Sequence, residues 1–260
     1  MKARRFVAGA FALLLATVGL AGVPGTADAA PAQQDSETPV IIVGGTGTAQ
    51  PIASVFYAPL AGRLQADGYD THIFGLPGGG LGDIAEASQD LADLADDVMA
   101  QTGSDTVDLV GHSQGGLVGR HYIRFQGGEE HVNRMISLGA PHYGTSLANL
   151  CDLFGETECL GITAFEQMSR DSDFTNNLNA GDDSWGDVEY INIATKLDII
   201  VFPYSTSFLD QDSGVTNVAV QDQCLFRPVG HLTLATDGTV YSGIRQGLAG
   251  DNVNLNCWAL

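Results

Sequence analysis

Residues 108–120 read DLVGHSQGGLVGR, and Ser113 stands in them between Gly111 and Gly115 in a Gly-x-Ser-x-Gly spacing. An apolar run ends at Val110, just before it. Such a spacing suits a sharp strand-to-helix turn, in which the serine backbone is strained and neighbours without a Cβ avoid clashes. The turn lifts Oγ above the carboxyl edge of the sheet, where ligands bind in open α/β sheets. A helix beginning at Gln114 aims backbone N–H groups and the positive end of its dipole at the same spot. The chemistry that fits is nucleophilic attack by Ser113. A neutral serine is a poor nucleophile, so it needs a base, and the base needs a carboxylate to orient it. In a chain with 33 glycines the spacing alone carries little weight. Its setting carries more.

That setting is an alternation of strands and helices. PVIIVGGT (39–46), YDTHIFGL (69–76), TVDLVGHS and VNRMISLGAP read as strands, and VEYINIAT and VTNVAVQ follow later. IASVFYAPLAGRLQADG reads as a helix stopped near Gly68. DIAEASQDLADLADDVMAQTG places Ile84, Ala87, Leu91, Leu94 and Val98 on one helical stripe, with Asp83 and Glu86 as a capping box and Gly103 as its stop. QGGLVGRHYIRFQGG and DGTVYSGIRQGL complete the helices. The repeated order predicts an α/β fold with a mainly parallel sheet and helices on both faces. Residues 147–187 interrupt the alternation and read as a short cap-like excursion, although AFEQMSR within it is helical in pattern.

A serine turn of this kind takes its partners in the chain order serine, acid, histidine. Of the histidines after Ser113, His121 lies on the helix leading away and His131 precedes a strand at the wrong edge. His142 lies at the right edge, but the acid would then follow it. His231, in a loop after the last strand, is the expected base. His112 adjoins Ser113, yet neighbours in a sharp turn point apart, so it reads as a packing histidine. Asp198, just past the strand INIAT, is the expected acid, ahead of Asp210 and Asp212 in a later polar loop. Two N–H donors should meet the developing oxyanion, from Gln114 and from the VGGTGT loop at Thr46, whose hydroxyl could add a third. That loop lacks both the Gly-Lys-Ser/Thr ending and the glycine spacing of nucleotide cradles. The chemistry calls for no cofactor and no metal.

Composition narrows the partners. The balance of 11 Lys and Arg against 31 Asp and Glu gives a net charge of −20, which disfavours nucleic acid and anionic lipid headgroups. Residues 1–29 read as a signal peptide: MKARRF, an apolar stretch, then Ala27-Asp28-Ala29. The expectation is a secreted chain whose domain spans 30–260. In an oxidising compartment Cys151, Cys159, Cys224 and Cys257 read as two disulfides. Three pairings are open to sequence; proximity favours Cys151 with Cys159, leaving Cys224 with Cys257.

With these residues in hand, the chain resembles the secreted bacterial lipases of the class 2 type, within the α/β-hydrolase superfamily. VGGTGT, GHSQGGLVGR, LGAPHYGT, KLDIIVFP and VGHLTL carry the resemblance, which covers about residues 38–250. GTGT and SQGGLV are also similar to the fungal lipase B type, and that likeness supports Cys224 with Cys257 and oxyanion donors at Thr46. It implies an α/β-hydrolase fold and a secreted monomeric ester hydrolase that takes an ester or lipid substrate through Ser113, Asp198 and His231, with transient contact with a lipid interface. Where many lipases carry His-Gly, this chain has Gly44-Gly45, so the oxyanion loop should be supported differently. The excursion, with Leu153, Phe154, Phe165 and Met168 among its apolar residues, is the expected source of substrate selectivity. The rival readings are an acyltransferase or polyester hydrolase with the same triad, and a non-catalytic lipid-binding protein on the same scaffold.

Overall fold

Val40–Val43, the first strand (β1), shows how the sheet is built. Its four residues are all buried, Val40 and Ile42 joining one apolar cluster and Ile41 and Val43 the other. Alternate side chains of a strand point to opposite faces, so an unbroken apolar run marks a strand covered on both. The computed structural model describes residues 38–146, 151, 161–210 and 214–260. The proposed signal peptide, Cys159, Leu153, Phe154 and Asp212 lie outside them.

The other strands are β2 (Thr71–Phe74), β3 (Val107–His112), β4 (Val132–Leu138), β5 (Glu189–Ala194) and β6 (Val215–Ala219). They form a six-stranded, all-parallel sheet in the order β2-β1-β3-β4-β5-β6. The expected α/β architecture is therefore present, fully parallel rather than mainly so. The strand order reverses at β1, which pairs with β2 on one side and β3 on the other. Carboxyl ends at such a switch point form a crevice. The glycine loop after β1 and the serine after β3 both meet it.

Helices cover both faces. On one, α3 (Ile84–Thr102) and α4 (Gln114–Phe125) pack Leu91, Leu117 and Tyr122 against Ile41, Leu109 and Met135. On the other, α2 (Ala58–Ala66) and α8 (Gly238–Leu248) pack Leu64 and Ile244 against Ile42, Val110 and Ile193. The Asp83 side chain accepts the Ala85 N–H at 2.7 Å, and Gly103 ends α3 in the left-handed region at φ 76°. The first expected helix is instead two, α1 (Ile52–Phe56) and α2, broken at Tyr57. Pro59 explains the break: it has no N–H to continue the ladder and is tolerated only in a helix's first turn.

Within the excursion lie α5 (Thr163–Met168) and α6 (Asp173–Leu178). The first matches the helical pattern of AFEQMSR. Phe165 and Met168 are buried in the core beside Ala164 and Leu178. The far end of the excursion is tied to α4. Arg120 donates to Asn179 Oδ1 at 2.8 Å and to the Asp183 carbonyl at 3.1 Å, and Arg124 donates to the carbonyls of Leu178 and Ala180 at 2.8 and 2.7 Å. Both guanidinium groups also lie over the Trp185 ring. After β6 comes the short α7 (Val220–Gln223), whose end is stapled by a disulfide between Cys224 and Cys257, as expected. Cys151 is also disulfide-bonded.

At the opposite, amino end of β3, Asp108 is 1% exposed beside Arg134 and accepts from Asn133 at 3.2 Å. Burial lifts its pKa from 3.8 to about 7, against the pull of Arg134. The folded state thus holds this proton more tightly than the unfolded one. The stability it contributes is present below the unfolded value and is lost as pH rises through about 7. The displacement corresponds to an upper figure of about 4 kcal/mol. Asp108→Asn should therefore raise stability by about 2 kcal/mol at pH 8 and by little at pH 4. Urea unfolding at both values checks this; a gap independent of pH would show that Asp108 binds its proton no more tightly in the folded chain than in the unfolded one.

Candidate active site

Ser113 sits at the carboxyl end of β3 with φ 55° and ψ −124°, a conformation that few non-glycine residues adopt. The packing around it accounts for the glycines. A Cβ on Gly115 would lie 2.3 Å from the Val43 carbonyl oxygen, and one on Gly111 would lie 2.7 Å from that of Gly115. Both glycines let α4 pass directly over the ends of β1 and β3. Oγ is presented half-buried above that junction.

His231 reaches the same point from the loop after α7. Its Nε2 lies 2.9 Å from Ser113 Oγ, and its Nδ1 lies 2.7 Å from Asp198 Oδ2. The other carboxylate oxygen of Asp198 accepts the N–H groups of Ile200 and Val201 at 2.9 and 2.8 Å. These bonds fix the plane of the carboxylate and leave Oδ2 for the imidazole. Because a carboxylate only accepts, the Asp198 contact places the ring proton on Nδ1. Nε2 then carries the lone pair, facing the serine proton. A Cβ on Gly139, at φ 58° after β4, would lie 2.8 Å from Leu234 Cδ1 and 3.3 Å from both Asp198 Oδ2 and His231 Nδ1. The three residues singled out by type and order are thus brought together, while Asp210 donates its N–H to Asp183 Oδ2.

The loop after β1 completes the crevice. The backbone N–H groups of Thr46 and Gln114 have no acceptor among the described residues. The Thr46 hydroxyl donates to Gln114 Oε1 at 2.6 Å, which ties the two donor positions together. Gln114 Nε2 is buried without a partner among the described residues. Beside Ser113 and His231 opens a cleft of about 190 Å³ whose apolar wall includes Ile52, Phe56, Ile200 and Leu232.

The remaining histidines are placed elsewhere. His121 bonds Ser88 at 2.6 Å on the α3–α4 seam, His131 precedes β4, and buried His142 meets Asn192 Oδ1 at 3.1 Å. Burial, with Arg120 adding to it, holds His142 well below the usual histidine range. His112 does more than pack. Its Nε2 lies 3.0 Å from the His231 carbonyl and its Nδ1 lies 2.9 Å from the Tyr57 hydroxyl. Burial and then repulsion from His231 bring its pKa down to about 3, so it is neutral near neutral pH. No motif singles out Tyr57; only its place at the helix break beside a proline hints at a special position.

The comparisons agree with this fold. A family profile described as the alpha/beta hydrolase fold matches residues 38–154. A triacylglycerol lipase of Burkholderia plantarii is 30% identical over 170 residues, covering 62% of this chain and 47% of that protein. One from Pseudarthrobacter phenanthrenivorans is 28% identical over 129 residues, covering 48% and 40%. The chain therefore spans less than half the length of these relatives. Among solved structures, lipase B of Aspergillus fumigatus aligns with a TM-score of 0.70 at 20% identity, over 85% of this chain and 55% of that one. A mature lipase of Bacillus licheniformis aligns with a TM-score of 0.64 at 18% identity, over 81% and 91%. With its parallel sheet, the serine turn at the switch point and these likenesses, the chain has the α/β-hydrolase fold.

Proposed function

We propose that the protein is an exported serine ester hydrolase acting on acylglycerols or related water-insoluble carboxylic esters. The observation that carries the reading is the unbroken Asp198–His231–Ser113 hydrogen-bond chain. His231 Nε2 takes the serine proton as Oγ attacks the ester carbonyl. The tetrahedral oxyanion is met by the backbone N–H groups of Gln114 and Thr46. The imidazolium, held by Asp198, gives its proton to the departing alcohol. Water activated by the same nitrogen then releases the acid from Ser113. Export is supported by the leader-like residues 1–29 and by the Cys224–Cys257 disulfide, a bond kept in oxidising compartments.

A lipid substrate is supported by the surroundings of the cleft. Ile52, Val55, Leu197, Ile199, Phe202 and Leu232 are exposed on the segments after β1 and β5 and beside His231. Four of the neighbouring or same residues form the apolar wall of the cleft itself. Contiguous exposed apolar surface marks an interaction site. With a net charge of −20, a neutral emulsion suits this face better than an anionic one.

The experiment is a series of p-nitrophenyl esters of increasing chain length beside emulsified triacylglycerol. Cleavage of long chains and emulsions is expected; turnover of short soluble esters alone would reduce the reading to an esterase. Val55 and Ile199 are 76% and 81% exposed, so changing both to serine should leave the fold intact. The double variant should lose about tenfold on emulsions, equivalent to about 1.4 kcal/mol of lost adsorption, and less than twofold on a soluble ester. Equal losses on both would remove the apolar rim from the proposal.

A further inference from the structure

We infer that Tyr57 and His112 are positioning residues, forming one ordered hydrogen-bond chain that holds the oxyanion loop in register with the backbone of the catalytic base. The chain runs Gly45 N to Tyr57 Oη at 2.9 Å, Tyr57 Oη to His112 Nδ1 at 2.9 Å, and His112 Nε2 to the His231 carbonyl at 3.0 Å. This inference rests on the hydrolase reading above.

Every proton in the chain is assigned by elimination. The His231 carbonyl can only accept, so His112 Nε2 carries the hydrogen. His112 is neutral, so its Nδ1 has a lone pair and the Tyr57 hydroxyl must donate to it. A Tyr57 oxygen lone pair is then left for the Gly45 N–H. With His112 neutral, no other arrangement of protons serves all four groups.

What the chain holds is the peptide that carries an oxyanion donor. The Gly45 carbonyl and the Thr46 N–H belong to one trans peptide plane and point in opposite directions. Thr48 grips that carbonyl from its hydroxyl at 2.6 Å and its backbone N–H at 3.2 Å, while Tyr57 grips the N–H on the other side of Gly45. Together they set where the Thr46 N–H points. The same neighbours occupy the space that a side chain on residue 44 would need, since a Cβ on Gly44 would lie 2.3 Å from Thr48 Oγ1 and 3.2 Å from the Tyr57 ring. At its far end the chain grips His231 by its carbonyl rather than its ring, leaving both ring nitrogens to Asp198 and Ser113.

The test is Tyr57→Phe, which keeps the ring and deletes the link, beside His112→Gln, which keeps a donor near the Nε2 position, and His112→Leu, which does not. Active sites are titrated with a fluorophosphonate, so that kcat on a short soluble ester is read per competent serine. A trifluoromethyl ketone, which forms a tetrahedral adduct, reports on the oxyanion site. Tyr57→Phe should lower kcat at least tenfold with KM within twofold, and should weaken the ketone by a similar factor. His112→Gln should retain more activity than His112→Leu. Tyr241→Phe, which loses a hydroxyl bond to Asp67 away from the cleft, should change thermal stability alone. If Tyr57→Phe lowers stability but keeps wild-type kcat and ketone affinity per titrated site, the chain is only packing and the inference falls. A wild-type protein that the fluorophosphonate does not label at Ser113 overturns the hydrolase reading itself, and this inference with it.

Discussion

Ser113→Ala should lower the turnover of a soluble p-nitrophenyl ester by roughly 10⁵-fold or more, with the fold intact. Among the described residues, the hydroxyl is the only group in the crevice placed to attack while facing a base, with Oγ 2.9 Å from His231 Nε2. Alanine keeps the Cβ that the backbone at φ 55° already accommodates, so the strain of the turn is unchanged. It removes one half-buried hydroxyl whose bond to His231 serves the chemistry rather than the fold. The melting temperature should therefore stay within a few degrees or rise, because strained sites commonly cost stability. Loss of activity with retained melting assigns the effect to the nucleophile. Activity equal to wild type would show that the serine turn is structural, and the lipid-binding reading of the same scaffold would then be preferred.

The parts of this site that were legible in sequence are those whose physics is local. A parallel strand buried on both faces must be apolar without alternation, which is why VIIV and TVDLV stand out. The glycines around Ser113 are legible because close backbone approach excludes a Cβ, as the 2.3 Å clearance at Gly115 bears out. Asp198 and His231 could be chosen because chain order limits the candidates at the right sheet edge. The break at Tyr57 was also written locally, in Pro59, but the apolar pattern on either side of it reads as one helix. What sequence hid were the contacts between distant segments. His112 meets Tyr57 across 55 positions and the His231 carbonyl across 119, and neither residue type is unusual where it stands. Nothing in VGHS distinguishes a histidine that packs from one that spans the crevice. Gly139 is similar: a Cβ there would crowd Leu234, Asp198 and His231, which the chain supplies much later.

Asp198→Asn should cost about 10⁴-fold in kcat, by analogy with the orienting acid of serine triads, and the reason is which way an amide must face here. Oδ1 of Asp198 accepts two backbone N–H groups, from Ile200 and Val201. An asparagine must offer its oxygen to that pair, since turning its NH₂ there would set donors against donors and leave them unpaired in a buried position. Its NH₂ group then faces His231 Nδ1, where the carboxylate Oδ2 stood at 2.7 Å. The imidazole responds by moving its proton to Nε2, so that Nδ1 can accept. The nitrogen beside Ser113 now bears a hydrogen and cannot take the serine proton. The isosteric change should leave KM and the overall fold close to wild type, because both backbone bonds to residue 198 survive. Nitrogen-15 NMR of the His231 ring would read the mechanism directly: proton on Nδ1 in the wild type, on Nε2 in the variant. A variant within tenfold of wild type, or one whose ring proton stays on Nδ1, would mean that Asp198 braces the loop without setting the state of the base. The orientation of His231 would then rest on the grip on its carbonyl by His112 alone.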